Sequence, residues 1–301
     1  MVILPSGVDI NNLIDDLRTF SWEAAKILIY YSKILKDPNT VDYIIKSNKD
    51  ESPVTNADLE ANDLIIRSIK EKYKDISWEI LSEETVKIES ENIDINAKWL
   101  WVLDPLDGTK DFIQGTENYA LHLALNYKHN PYIGIVLIPE KDELWVSNGT
   151  EVWCEGKDGL QKKPKLSNHT NLTEMTLVTS KNHNNEVLKK LIEKINFKKI
   201  VVMGSIGCKI TSILRGESDL YLCLSLPGKS APKDWDFAAP AALLKAAGGA
   251  ITYLDNKELV YNQPKFEQRG IIVASNNRLN HEKVCLKIKE IILRNKIYNL
   301  L

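Results

Sequence analysis

The chain has 301 residues, 44% of them apolar and 27% charged, with a formal net charge of −2. That length and balance suit one large domain or two lobes with a substantial core, and give no global reason to expect a nucleic-acid or membrane partner. The N-terminus lacks a basic n-region and no run reaches the length of a membrane span, so a cytoplasmic protein is expected.

Apolar residues recur with helical period over 13–35, with Asp9 placed to cap the helix and Asp37-Pro38 to end it. The Lys-rich stretch 44–51 reads as a connection. A second helix starts at Thr55 or Asp58 and runs through Leu59, Leu64, Ile65, Ile69 and Tyr73, and the two helices are expected to pack as a hairpin. Strands are predicted at 78–81, 99–103, 120–127, 131–138, 143–148 and 151–154, spaced as an antiparallel meander, and 156–171 reads as a surface loop. Strands at 176–180, 199–203, 220–224, 250–253 and 270–274 then alternate with helices at 184–195, 208–216, 238–247 and 280–295, the pattern of an α/β unit. The basic runs 157–165 and 189–199 read as solvated surfaces. Cys154, Cys208, Cys223 and Cys285 match no zinc or redox spacing and read as reduced structural thiols.

The stretch 99–112, WLWVLDPLDGTKDF, organises this pattern. Its apolar run is a buried strand, and Pro105 and Gly108 are expected to stop that strand and turn it. Asp104 and Asp107 then lie on one turn and can converge. Converging carboxylates repel unless a proton or cation sits between them, and carboxylate oxygens are ligands that a hard cation such as Mg²⁺ prefers. A polar turn after a core strand is the other reading of the same residues.

DPLDGT resembles the DPxDGT motif of the inositol monophosphatase superfamily, Mg²⁺-dependent, lithium-sensitive phosphatases. Further parts of that pattern occur in order: Ser52-Pro53-Val54-Thr55-Asn56-Ala57-Asp58, then Leu81-Ser82-Glu83-Glu84, then Trp235-Asp236-Phe237-Ala238-Ala239-Pro240, then Gly248-Gly249. The resemblance implies a five-layer αβαβα sandwich of α+β and α/β character. It would have an N-terminal α+β lobe over 1–168, a C-terminal α/β lobe over 169–301, and a metal site between them. It implies two or three Mg²⁺ ions held by Glu83, Asp104, Asp107, Asp236 and the Leu106 carbonyl. Thr109 and Asp58 would be the catalytic pair, a hydroxyl that orients the attacking water and a carboxylate that accepts its proton. If 110–114 is helical, the amides that open it at Gly108 and Thr109 would face the phosphate. Each residue has a plainer use: an exposed acid pair at Glu83 and Glu84 (Glu84 above all), an N-cap at Asp236 or Thr109, an Asx turn at Asp107, a first-turn helix charge at Asp58.

Leu106 and Lys110 in the motif, the chain length, and the stretches Ser180-Lys181-Asn182-His183 and Gly204-Ser205-Ile206-Gly207-Cys208-Lys209 resemble the bisphosphate nucleotidases of that superfamily. The implied reaction is removal of the 3′-phosphate of 3′-phosphoadenosine 5′-phosphate, with its sulfated form and inositol 1,4-bisphosphate as further substrates. Lys209 would meet the 5′-phosphate beside Ser205, and Ser180 and His183 would line the pocket. An inositol phosphate phosphatase is the alternative. A non-catalytic member would lack a metal acid, and every expected acid is present. The partners expected are a small phosphorylated molecule and at most a second copy of the chain, a monomer or homodimer.

Overall fold

The computed structural model describes residues 2–35, 45–47, 53–89, 96–181 and 186–297. The expected helix end at Asp37-Pro38 and the candidate His183 lie outside them.

The first helix, α1 (Ile10–Ile34), begins where Asp9 accepts the amides of Asn11 and Asn12, both at 3.0 Å. The connection after it carries a short strand, β1 (Ile45–Ser47), paired antiparallel with β2 (Pro53–Thr55). Helix α2 (Asn56–Lys72) starts at a capping box in which the Thr55 hydroxyl and Asp58 exchange hydrogen bonds with each other's amides. The two helices pack on one face of a seven-stranded sheet. Its strands are β3 (Glu79–Ser82), β4 (Trp99–Asp107), β5 (Ala120–Tyr127), β6 (Asn130–Ile138), β7 (Glu143–Ser147), β8 (Val152–Glu155) and β9 (Gln161–Lys162). β3 runs parallel to β4 rather than in the expected antiparallel meander; β4 to β8 form that meander, and β9 adds a short strand within the stretch read as a loop. Two short helices, α3 (Glu83–Glu89) and α4 (Thr109–Ile113), follow β3 and β4 directly.

The second sheet has the order β11 (Lys199–Met203), β10 (Thr176–Ser180), β12 (Leu220–Ser225), β14 (Gly270–Ser275), β13 (Ala250–Tyr253). β10 is parallel to both its neighbours, and β14 is antiparallel to both of its own. α5 (Glu186–Ile195) and α8 (Arg278–Asn295) cover the outer face of this sheet. α6 (Ile206–Leu214) and α7 (Asp234–Ala246) lie between the two sheets. Three apolar cores therefore separate five layers in the order helix, sheet, helix, sheet, helix. All four cysteines are buried and unpaired. Among the described residues no helix is long and apolar enough to cross a membrane.

Three differences from the sequence expectation bear on the site. β4 does not stop at Pro105 but runs on to Asp107, with an irregular register between Asp104, opposite His122, and Asp107, opposite Ala120. A bulge needs no ladder donor at the extra residue, so proline is tolerated there. Side chains three residues apart on a regular strand face opposite ways, and the bulge turns Asp104 and Asp107 to the same side. The chain then turns at Gly108, with φ +90°, where a Cβ would lie 2.9 Å from the Asn118 carbonyl oxygen.

The second difference is that α7 begins at Asp234, four residues before the predicted start. Ten of its thirteen residues are buried, because both of its sides are covered. Small residues make this possible: a Cβ on Gly134 of β6 would lie 2.6 Å from the Ala239 carbonyl oxygen. The third is α6, whose nine residues are all buried, leaving it no solvent face.

Candidate metal centre

Three carboxylates come together from two distant parts of the chain. Carboxylate oxygens of Asp104 and Asp107, at the end of β4, and of Asp236, in the first turn of α7, lie within 4.8 Å of one another. Asp104 Oδ1 accepts the Leu106 amide at 3.0 Å, which closes the bulge. Asp236 is the third residue of its helix rather than the N-cap, and its Oδ2 accepts the Lys233 amide at 2.5 Å. Pro240, four residues on, has no N–H, so the Asp236 main-chain carbonyl lacks its helical donor.

Asp107 is the most tightly held of the three. Its Oδ2 accepts from the Ser205 hydroxyl at 2.6 Å and the Gly207 amide at 3.1 Å, and His122 Nε2 lies 3.2 Å away. The other ring nitrogen of His122 is 3.3 Å from the Trp235 carbonyl oxygen. The ring thus sits between the Asp107 carboxylate and the Trp235 carbonyl. Nothing in the sequence pointed to His122. It is a buried strand residue, and only the bulge brings it beside Asp107.

The carboxylates of this group act on one another. Burial, then the charges of Glu83, Asp107 and Asp236, push the Asp104 carboxyl well above the usual range. Burial, then Asp107 and Glu83, do the same to Asp236. Burial acts on Asp107 in the same direction, but His122, Lys209 and Ser205 outweigh it and bring that carboxyl down to about 2. Two acids forced toward their neutral forms beside one held ionised, with only oxygen donors, fit a hard divalent cation. Glu83 stands beside this group, its Oε1 3.0 Å from Lys87 Nζ. Glu84 is not an exposed acid as expected: it is 2% exposed, with Oε1 2.9 Å from the same ammonium.

The catalytic candidates are placed but not joined. Asp58 Oδ2 accepts the Thr55 hydroxyl at 2.6 Å and the Thr55 amide at 2.8 Å. Burial raises its carboxyl to about 7 against the pull of Thr55, with Glu84 and Glu83 adding to the rise. The Thr109 hydroxyl donates to the Leu106 carbonyl at 3.1 Å rather than to Asp58. Gly108 and Thr109 are half-buried, at the start of α4. Ser180 ends β10 opposite Met203, beside the turn that carries Ser205.

Two substrate-binding expectations do not fit. Ser205 is buried, accepts the Cys208 amide at 3.1 Å to cap α6, and its hydroxyl donates a hydrogen bond to Asp107. Lys209 is 1% exposed, and its ammonium bonds the Gly204 and Met203 carbonyls and lies 5.6 Å from the centre of the Tyr221 ring. Neither group is presented to a phosphate in the cleft, and the reason is the complete burial of α6.

Comparison with known proteins agrees with this arrangement. The 3′(2′),5′-bisphosphate nucleotidase CysQ of Buchnera aphidicola is 33% identical over 232 residues, 76% of this chain and 82% of that protein. CysQ of Escherichia coli is 27% identical over 219 residues, 72% of this chain and 82% of that protein. The solved structure of an IMPase from Thermotoga maritima superposes with a TM-score of 0.72 at 22% identity, covering 95% of this chain and all of that one. The inositol monophosphatase family model matches residues 14–293. With the motifs in order, the five layers in place and the aspartates converging, the chain belongs to the inositol monophosphatase family.

Proposed function

We propose that this phosphatase is a Mg²⁺-dependent 3′(2′),5′-bisphosphate nucleotidase that removes the 3′-phosphate of 3′-phosphoadenosine 5′-phosphate. The observation that carries the phosphatase chemistry is the convergence of Asp104, Asp107 and Asp236 in an all-oxygen cleft. The nucleotide preference is supported by the relatives named CysQ. Glu83, Asp104, Asp107, Asp236 and the Leu106 carbonyl would hold the ions. When bound, these supply Lewis-acid stabilisation of the phosphate oxygens and lower the pKa of water.

The chain's own groups do the rest. Asp58, raised to about 7, is matched to accept a proton near neutrality. Thr109, at the start of α4, is assigned to orient the attacking water, and the amides beside Gly108 to receive the phosphate. Ser205, Gly207 and His122 keep Asp107 ionised and aimed. Lys209 is sealed inside, whereas Lys181, after β10, is exposed and hydrogen-bonded to Gln114 at 2.7 Å.

An inositol phosphate substrate is the second reading, favoured by the inward turn of Ser205 and Lys209, which removes the groups expected to hold a second phosphate. Phosphate release from 3′-phosphoadenosine 5′-phosphate and from inositol 1-phosphate, measured side by side, separates the two. The nucleotide is expected to turn over faster, and both reactions to stop in excess chelator and slow in millimolar Li⁺. Faster turnover of inositol 1-phosphate would establish the second reading, and full turnover in chelator would refute the metal dependence of both.

A further inference from the structure

Three basic side chains, Lys209, His122 and Lys87, stand near the acids of the cleft, and they differ in freedom. Lys209 is enclosed under main-chain carbonyls, and His122 is wedged between Asp107 and the Trp235 carbonyl. Lys87 is at the rim, its side chain 16% exposed. Its ammonium lies 3.0 Å from Glu83 Oε1 and 2.9 Å from Glu84 Oε1. All three residues belong to α3, and the spacings of four and three place the ammonium over both carboxylates. Glu83 stands outside the 4.8 Å group formed by the three aspartates, although its charge acts strongly on Asp104.

We propose that Lys87 is a resident counter-ion of Glu83 that a divalent cation must displace, so that Lys87 sets the metal affinity of the centre. The proposal rests on the reading of Glu83 as a metal ligand. A lysine suits the role: its ammonium is a point charge on a flexible stem, with three donors that are not fixed in one plane. It can release Glu83 and keep Glu84, so the ammonium need not leave the cleft when Glu83 turns to a metal. Buried Glu84 is then the anchor that holds the ammonium within reach of Glu83.

Calorimetric titration of the full chain with Mg²⁺, without substrate, tests this. Lys87→Met is expected to bind Mg²⁺ roughly three- to fivefold more tightly, the worth of a partly exposed ion pair. Lys87→Gln should show the same tightening if methionine disturbs α3. Unchanged or weaker binding in both variants overturns the proposal. Glu83→Gln separates it from the reading beneath it. If Glu83→Gln binds Mg²⁺ like the parent, Glu83 is no ligand and both fall. If Glu83→Gln binds weakly while the Lys87 variants match the parent, only the counter-ion role falls. In the double variant the Lys87 substitution should have no effect, and tightening there would show that Lys87 acts through another group.

Discussion

Two buried carboxylates in this chain, Asp219 and Asp104, are placed in opposite surroundings. Asp219, 2% exposed at the start of β12, accepts from the Ser167 hydroxyl, the Thr176 amide at 2.6 Å and Asn276 Nδ2 at 3.2 Å. His169 Nδ1 lies 3.1 Å away. Asp104, 1% exposed at the end of β4, accepts the Leu106 amide and otherwise faces Glu83, Asp107 and Asp236. A carboxylate ringed by donors is satisfied as it stands and fastens the chain, here the 167–169 segment to β10, β12 and β14. A carboxylate ringed by acids is satisfied only by something brought in from outside. Burial alone therefore does not distinguish a structural acid from a functional one. The sign of its neighbours does.

The sharpest way to break the comparison is to remove the charge from each acid in turn. Asp104→Asn should lower turnover on the order of 10³-fold or more, since the ions it would hold contribute several kcal/mol to the transition state. The same variant should unfold at a higher temperature than the parent in chelator, because one repelling charge is gone. Asp219→Asn should do the reverse. Losing charged hydrogen bonds should cost about 3 kcal/mol, or roughly 5–10 °C in melting temperature, with Mg²⁺ affinity unchanged. A destabilised Asp104→Asn, or an Asp219→Asn that loses Mg²⁺, would erase the distinction.

A third polar cluster extends the comparison to a base. Buried His281 lies 2.7 Å from the Ser275 hydroxyl, 2.8 Å from the Thr252 hydroxyl and 3.5 Å from Cys285 Sγ. Burial lowers its pKa from 6.5 to about 4, slightly opposed by Glu258. Below pH 6.5 the unfolded chain takes up a proton at this histidine that the folded chain refuses until about pH 4. Stability carried by the neutral ring is therefore complete above pH 6.5 and lost as the pH falls through this window, by about 3 kcal/mol. His281→Gln should be less stable at pH 7 and lose less between pH 6.5 and 4. Denaturant midpoints that run parallel to the parent's across that range would remove His281 from the account.

A smaller effect than these is expected at His122. It is buried beside Asp107, so His122→Gln should weaken Mg²⁺ binding by about tenfold, as for groups that orient a ligand from behind. Equal affinity, measured by calorimetry, would leave His122 as packing between β5 and α7.

What the sequence determined by itself is local or carried by short motifs. The apolar run 99–103 is a strand because five large buried side chains are each worth roughly 1.5–3 kcal/mol. Asp9 and Thr55 cap their helices because capping needs only the next three residues. The strand at 199–203 falls within its predicted limits, and the five layers follow from the motif order. The DPLDGT motif and the downstream Trp235-Asp236 pair identified the acids that converge. Tertiary structure decided everything that depends on a partner distant in the chain. The bulge that carries β4 past Pro105 is a matter of register against β5. The early start of α7 comes from a helix covered on both sides, where burial outweighs propensity. Glu84 is buried beside the acid cleft, and its pairing with Lys87 keeps a charge there tolerable. Ser205 and Lys209 turn inward because α6 has no exposed side, so residue types suited to a phosphate serve Asp107 and the β11–α6 turn instead.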